Sequence, residues 1–273
     1  TEILLMTAFL TMNASDTHTS GNFLVSSGLK GFLPTDENSL HLIERSCWWF
    51  HILGVLGFLN YLPYSKHFHI LLAFPATYYS NLLPKGQFTN MQAVTNEVKL
   101  MFDPNADPYA AAPEPDPNAE VVRFGAKEVN DLTWKNLMDS YACTECGRCS
   151  SECPANQTGK LLSPRKIMMD TRQRLKEVGK NIDKHGKDYT DNKSLLNDYI
   201  STEELWACTT CNACTQACPL NIDPLSIIVD LRRHLVMEQS AAPTELNMMF
   251  NNIENNGAPW QFPAADRLKW KDE

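Results

Sequence analysis

Basic residues are in the minority in this chain of 273 residues: 24 Lys and Arg stand against 32 Asp and Glu, which gives a net charge of −8. A general nucleic-acid binder carries a basic surface, so we expect no nucleic acid among the partners. The N-terminus has neither a basic start nor a small-residue cleavage site, and it therefore predicts no cleavable signal peptide. These absences direct attention away from nucleic-acid-binding and secreted proteins.

Cysteine, by contrast, is abundant, with nine copies. Eight of them fall into two tight groups, which are Cys143, Cys146, Cys149 and Cys153, and then Cys208, Cys211, Cys214 and Cys218. Secreted disulfide frameworks usually spread their cysteines so that the bridges join distant loops. Groups with gaps of two and three residues indicate metal binding and a reducing compartment instead.

Both groups read Cys-x2-Cys-x2-Cys-x3-Cys-Pro. This is the bacterial ferredoxin pattern, in which three cysteines hold one cubane and the fourth ligates the other cluster. Zinc is the alternative, but zinc sites pair two Cys-x2-Cys knuckles or combine one with histidines. The spacing therefore predicts two [4Fe–4S] clusters. Their predicted ligands are Cys143, Cys146, Cys149 and Cys218 for the first cluster, and Cys208, Cys211, Cys214 and Cys153 for the second.

The cysteine groups lie in an internal repeat, in which residues 141–154 align with 206–219. Each copy is entered from a short helical stretch and followed by a helix with proline in its first turn, at Pro164 and Pro224. The first of these helices is predicted over 164–178, with Gly179 as its stop. Cys153 and Cys208 are 55 positions apart, which exceeds what a compact βαβ ferredoxin needs. The fold class predicted is all-α: transmembrane helix segments followed by an α-helical dicluster ferredoxin domain over 126–273 with a C-terminal tail.

The N-terminal part, residues 1–85, is predicted to be a partial membrane domain. Residues 43–62 are mostly apolar and aromatic, and their length suits a membrane span that extends to about residue 74. Residues 1–12 are apolar but too short to span, so we expect a truncated helix of a longer protein. A buried core helix of a soluble protein is the alternative.

A linker is predicted over 86–125. Residues 103–119 contain five prolines with Ala, Asp and Asn, a composition that cannot continue a helix and has little to bury. Lys66, Lys85 and Lys99 follow the span, and this basic bias favours a cytoplasmic side for the soluble domain. The predicted location is therefore the bacterial inner membrane, with the iron–sulfur domain in the cytoplasm.

His51 and His69 lie 18 residues apart, about five turns of a continuous helix, so both would point the same way about 27 Å apart. Such a pair suggests axial ligands to two haems stacked across a membrane, although Pro63 would bend the helix between them. An interfacial histidine at each helix end is the alternative reading of this spacing.

The cysteine-containing half resembles the dicluster subunits of heterodisulfide reductase-like proteins. Residues 48–69 resemble the last membrane helix of the nitrate reductase gamma-subunit type, in which two histidines with this separation ligate two b haems. The resemblance implies one axial ligand each for His51 and His69, with the other ligands on helices that this chain lacks. It also implies quinone, a membrane and a catalytic partner subunit.

Many members of the resembled family carry a domain marked by Cys-Cys-Gly, but no two cysteines are adjacent here. We therefore expect any substrate-converting site on a partner, and the chain offers no catalytic residue of its own. The function predicted is electron transfer between b haems or quinone and that partner. A peripheral ferredoxin-like subunit of a heterodisulfide reductase-type enzyme, or a structural cluster module without redox activity, is the alternative.

Overall fold

The computed structural model describes residues 1–13, 23–103, 123–187 and 189–271. Over these ranges the regular structure is helical, with no β-strand and one isolated bridge between Leu196 and Ile200. The all-α prediction is therefore confirmed for the described residues. The chain divides into two units, Thr1–Phe68 and His69–Glu273.

The first unit is built around one long helix, against which the N-terminal helix packs. Asp36 starts the long helix because its carboxylate accepts the backbone N–H of Ser39 at 3.0 Å, as an N-cap residue does. The helix therefore begins before residue 43, where the apolar composition begins. The α-helices of this unit are α1 (Glu2–Met12), α2 (Leu24–Gly28) and α3 (Glu37–Tyr61).

The long helix ends earlier than predicted. A 3-10 turn, Leu62–Tyr64, follows α3, and the next α-helix begins only at Phe68. Pro63 explains the break, because proline has no N–H to donate and disfavours helical geometry in the residue before it. A single helix from 43 to about 74 is therefore not what the chain forms.

The second unit holds both cysteine groups in a set of short helices around one longer helix. In chain order its helices are α4 (Phe68–Tyr78, its first residue in the other unit), α5 (Gln92–Phe102), α6 (Trp134–Ala142), α7 (Arg148–Ser151), α8 (Pro154–Gln157), α9 (Pro164–His185), α10 (Leu195–Asp198), α11 (Thr202–Trp206), α12 (Ala213–Ala217), α13 (Pro224–Arg233) and α14 (Thr244–Asn256). A π-helical turn, His234–Glu238, extends α13.

The central helix α9 begins as predicted but is longer. Ser163 caps it by accepting the backbone N–H of Lys166 at 3.4 Å, and Pro164 occupies the first turn. Gly179 does not stop the helix, because one glycine inside a helix costs only about 1 kcal/mol relative to alanine. The helix ends at Gly186, whose φ of 91° is open to glycine at little cost.

The core of this unit lies where α6, α9 and α13 meet. Apolar residues at helical spacing supply it, and the fully buried side chains include Ile167, Met168, Leu205, Ile227, Ile228 and Leu231. Burial of this kind contributes about 1.5–3 kcal/mol per large aliphatic side chain. The core therefore holds fixed the helices that carry the cysteine loops.

The boundary between the units differs from the predicted division at residue 85. Ala76 of α4 belongs to the core of the second unit, and the amide of Asn221 donates to the carbonyl of Asn81 at 2.8 Å. Within the predicted linker, α5 is helical over Gln92–Phe102. The proline-rich part of that linker, 104–122, lies outside the described residues.

Candidate iron–sulfur centre

The two cysteine loops have left-handed residues at corresponding positions. In the first loop Glu145 and Gly147, on either side of the second cysteine, have φ values of 60° and 85°. In the second loop Thr210 and Asn212 have φ values of 57° and 60° at the corresponding positions. Left-handed residues within a tight turn can direct successive backbone N–H groups toward one point, which is how backbone binds anions. Both loops are thus shaped to enclose a negatively charged group.

An arginine holds the first cysteine of each loop. Arg172 of α9 donates to the carbonyl of Cys143 at 3.3 Å, and Arg232 of α13 donates to the carbonyl of Cys208 at 2.6 Å. Both arginines lie eight residues after the proline of their helix. Arg172 also pairs with the carboxylate of Glu145, whereas Arg232 lies over the ring of Trp206, 4.8 Å from its centroid. The repeat therefore extends into the helices that support the loops.

The first predicted ligand set surrounds one cavity of about 210 Å³, which we call site 1. All four predicted ligands lie in its wall, and so does Cys214 of the other set. The four ligands of the first set are Cys143, Cys146, Cys149 and Cys218. The volume is more than ten times the roughly 10–15 Å³ that one water needs. The structure thus brings the fourth cysteine of the second loop to the first loop, as cross-ligation requires.

Burial and backbone N–H groups act in opposite directions on the thiols of site 1. Burial raises the pKa of Cys143 and of Cys149, and the backbone N–H of Glu145 opposes this rise at Cys143. Cys146 is exposed, and the backbone N–H of Arg148 lowers its pKa. Since thiolates are the metal-binding form, the N–H groups favour ligation, while burial makes it depend on displacement of protons by a cation.

The second predicted set, Cys208, Cys211, Cys214 and Cys153, forms what we call site 2. Burial raises the pKa of Cys208, and the thiols of Cys153 and Cys211 add to this rise because they lie nearby. Burial also raises the pKa of Cys214 to about 12. The Cys208 sulfur lies 3.4 Å from the backbone nitrogen of Thr210, the same contact that Glu145 makes in the first loop.

The donor set suits a cubane better than a single ion. Among the described residues, which include every motif cysteine, no three His, Cys, Asp or Glu side chains lie close enough together to hold one metal ion. A zinc ion needs thiolates converging at about 2.3 Å on one point, whereas these thiols surround a larger volume. Soft thiolates in this number and spacing fit two [4Fe–4S] clusters.

The predicted haem ligands lie in different surroundings. His51 is in α3, with its Nε2 3.5 Å from a carboxylate oxygen of Glu2. His69 is in α4 of the second unit, and it lies in the wall of site 1. The two residues are not on one helix, because α3 ends at Tyr61. The argument from a continuous helix therefore loses its basis, and the haem assignment stays a prediction.

Arg172, Arg232 and the residues that cap α9 and α13 were not among the predicted site residues. A signal for them is present in the sequence, since alignment of the repeat on Pro164 and Pro224 places Arg172 opposite Arg232. The same alignment places Ser163 opposite Asp223. Extending the comparison beyond the cysteines would have found these positions.

Residues 142–222 match the family described as the 4Fe-4S dicluster domain. This match covers the two cysteine loops and the helices between them. The class of protein is thereby defined: the chain contains an iron–sulfur dicluster domain.

Relatives match over more of the chain. It is 32% identical, over 91% of its length, to a probable iron-sulfur-binding oxidoreductase, FadF, of Bacillus subtilis. It is 30% identical, over 84% of its length, to an EtfAB:quinone oxidoreductase of Syntrophomonas wolfei. Over 54% of its length it is 34% identical to a probable membrane-anchored ferredoxin of Chromohalobacter salexigens.

The relatives are longer proteins. The chain spans 36%, 31% and 24% of these three proteins in turn, so about a third of the first two. Subunits of Methanosarcina heterodisulfide reductases are distant relatives as well. No solved structure gives a significant match. The chain is therefore an iron–sulfur protein distantly related to iron–sulfur oxidoreductases, heterodisulfide reductase subunits and a membrane-anchored ferredoxin.

Proposed function

We propose that this chain is the electron-transfer part of a membrane-bound, quinone-linked oxidoreductase complex. When bound, a [4Fe–4S] cluster supplies reversible one-electron transfer. The protein holds the clusters with eight thiolates, turns N–H groups toward them and keeps both on one rigid helical core. The observation that carries the proposal is the convergence of Cys218 with the three cysteines of the first loop around site 1.

The eight motif cysteines are all used as ligands in this proposal. A catalytic cluster needs an open iron position, and neither site has a cysteine missing. The substrate-converting step therefore belongs to a partner subunit, and a Cys-Cys-Gly-domain protein is the partner we propose. Quinone is proposed as the other redox partner because relatives include an EtfAB:quinone oxidoreductase.

Metal content and a redox titration test electron transfer. Anaerobically purified protein should contain about eight iron and eight sulfide per chain, as two cubanes require. Electron paramagnetic resonance during a titration should then show two clusters that are reduced and reoxidised reversibly. Clusters that cannot be cycled at biological potentials would instead support a structural cluster module.

Anchoring in the bacterial inner membrane is proposed from α3. By length and composition, one helix of the described chain, Glu37–Tyr64, could cross a membrane. None of its most apolar window is buried. At 1.5 Å per residue it exceeds the roughly 30 Å hydrocarbon core. The most apolar part of this long helix is not buried, so it needs a nonpolar environment, and lipid supplies one.

The haem part of the proposal depends on the family resemblance. His51 and His69 would each supply one axial ligand to a b haem, with the other ligands on preceding helices of the full protein. A pyridine haemochrome spectrum of the complex tests this directly. A complex with full cluster content but no haem would remove the haem step and leave the iron–sulfur proposal in place.

A further inference from the structure

The two halves of the repeat place different charges around otherwise equivalent cluster sites. In the first half, Ser163 caps α9 and its hydroxyl lies 2.7 Å from that of Ser150, which follows the third cysteine. In the second half, Asp223 caps α13 and accepts a hydrogen bond from the hydroxyl of Thr215, which also follows the third cysteine, at 3.1 Å. The capping side chain is therefore neutral beside site 1 and negatively charged beside site 2.

A second difference follows the helix proline. Arg165 comes directly after Pro164, and its guanidinium lines site 1, 3.7 Å from where a Cβ on Gly147 would stand. The equivalent position after Pro224 is Leu225, which is buried and uncharged. Arg148 also lines site 1, whereas its counterpart in the second loop is Ala213.

The arginine that supports each loop does not cancel this difference. Each site has one supporting arginine, Arg172 or Arg232. Glu145 neutralises Arg172 by pairing with it, so site 1 keeps the charges of Arg148 and Arg165. At site 2 the charge of Arg232 is offset by Asp223. Site 1 is therefore more positive than site 2 by about two charges.

We propose that the cluster at site 1 has the higher reduction potential, and that the charges of Arg165 and Asp223 set the order of the two potentials. The inference rests on the proposed electron-transfer function. Adding an electron makes a thiolate-ligated cluster more negative, so nearby positive charge favours the reduced form and nearby negative charge opposes it. The first electron to enter the protein therefore resides at site 1, the cavity that His69 also lines.

The repeat supplies matched variants, because each residue can be exchanged for its counterpart in the other half. Asp223→Ser should raise the lower of the two midpoint potentials, and Ser163→Asp should lower the higher one. Both exchanges keep a good N-cap residue, so the helices should be retained. Arg165→Leu should lower the higher potential. We expect a change of about threefold to tenfold in the reduction equilibrium, with tenfold corresponding to about 59 mV for one electron.

Redox titration of the purified, cluster-loaded protein, monitored by electron paramagnetic resonance, measures both potentials. Lys180→Gln is the control for lost positive charge, because Lys180 is exposed on the same helix about 22 Å beyond Arg165. Asp183→Asn is the control for lost negative charge. Iron and sulfide contents equal to those of the wild type confirm that the variants are folded and loaded.

Three results would overturn the proposed order. Asp223→Ser could raise the higher potential, Arg165→Leu could lower the lower one, or neither could move a potential more than the control variants do. These results differ from failure of the proposed function, in which the unaltered protein itself lacks two reversibly reducible clusters. In that case the proposed order of potentials is wrong together with the proposed function.

Discussion

At the scale of the residue, Cys153 and Cys218 decide how the two clusters are held. Each ends its own motif before a proline, and Cys218 lies with the first loop at site 1. We therefore expect Cys218→Ala to abolish the same paramagnetic signal as Cys146→Ala. Cys153→Ala should abolish the same signal as Cys211→Ala. If each motif holds its own cluster, the pairing of the variants will be reversed, with Cys218→Ala matching Cys211→Ala.

The raised pKa of a second residue, Asp139, leads us to predict that the stability of the fold depends on pH. Burial raises its pKa to about 6, against the opposing contact with Lys135 at 2.5 Å. The folded state therefore binds this proton more tightly than the unfolded state, and stability falls as pH rises from about 4 to about 6. The loss across this range is about 2–3 kcal/mol.

Asp139→Asn should remove that fall, because the amide cannot ionise. The measurement is the urea midpoint of the helical circular dichroism at pH 5 and at pH 7, for the loaded protein. The wild type should lose more stability than the variant between these pH values. Asp183→Asn, on the exposed part of α9, is the control and should behave as the wild type does. Parallel behaviour of wild type and Asp139→Asn would contradict the prediction.

At the scale of the element, Gly125 determines how the chain packs on the end of α13. Its φ is 79°, and a Cβ there would lie 2.4 Å from the carbonyl oxygen of Asp230 and 2.5 Å from the backbone nitrogen of His234. Gly125→Ala therefore adds a backbone clash to left-handed strain, for a total of about 2–5 kcal/mol.

Gly159→Ala is the matched control, because Gly159 has the same φ of 79° but nothing within 4 Å of the point where a Cβ would stand. It should cost only the left-handed strain, about 1–2 kcal/mol. Chemical denaturation of both variants gives the comparison. Equal losses of stability in the two variants would show that the backbone near Gly125 moves to relieve the clash at no cost in free energy.

The helices show which elements could be read from the sequence. Ser201 and Glu204 have the sequence spacing of a capping box, and each side chain does accept the other residue's backbone N–H. Such signals are local, so the sequence contains them completely. The end of α9 is different, because the sequence offers glycine at both 179 and 186. Only Gly186 adopts a positive φ, and that depends on what the chain does next.

At the scale of the whole molecule, the cysteine spacing predicts a set of cluster ligands, whereas the groups that support the cysteine loops were not predicted. Cysteine spacing is a strong signal because few sites other than iron–sulfur clusters need four cysteines at these intervals. The carbonyl contacts of Arg172 and Arg232 depend on how α9 and α13 pack against the loops, and packing is not periodic in the sequence. The sequence also does not show that α4, although apolar, contributes Ala76 to the core of the second unit.

The membrane proposal can be tested on α3 with one charge at two depths. Leu56 lies deep in the apolar part of α3, whereas Leu42 lies near its start, beside Glu44 and Arg45. An arginine at the centre of a spanning helix costs about 2.5–3.5 kcal/mol of insertion free energy, and much less near an end. Leu56→Arg should therefore reduce the fraction of protein that resists carbonate extraction from membranes, while Leu42→Arg should leave it close to the wild-type value.

Since both leucines are exposed in this unit, at 51% for Leu56 and 70% for Leu42, loss of a soluble core cannot account for a difference between the two variants. Release of the wild-type protein by carbonate alone would show that α3 does not anchor the chain.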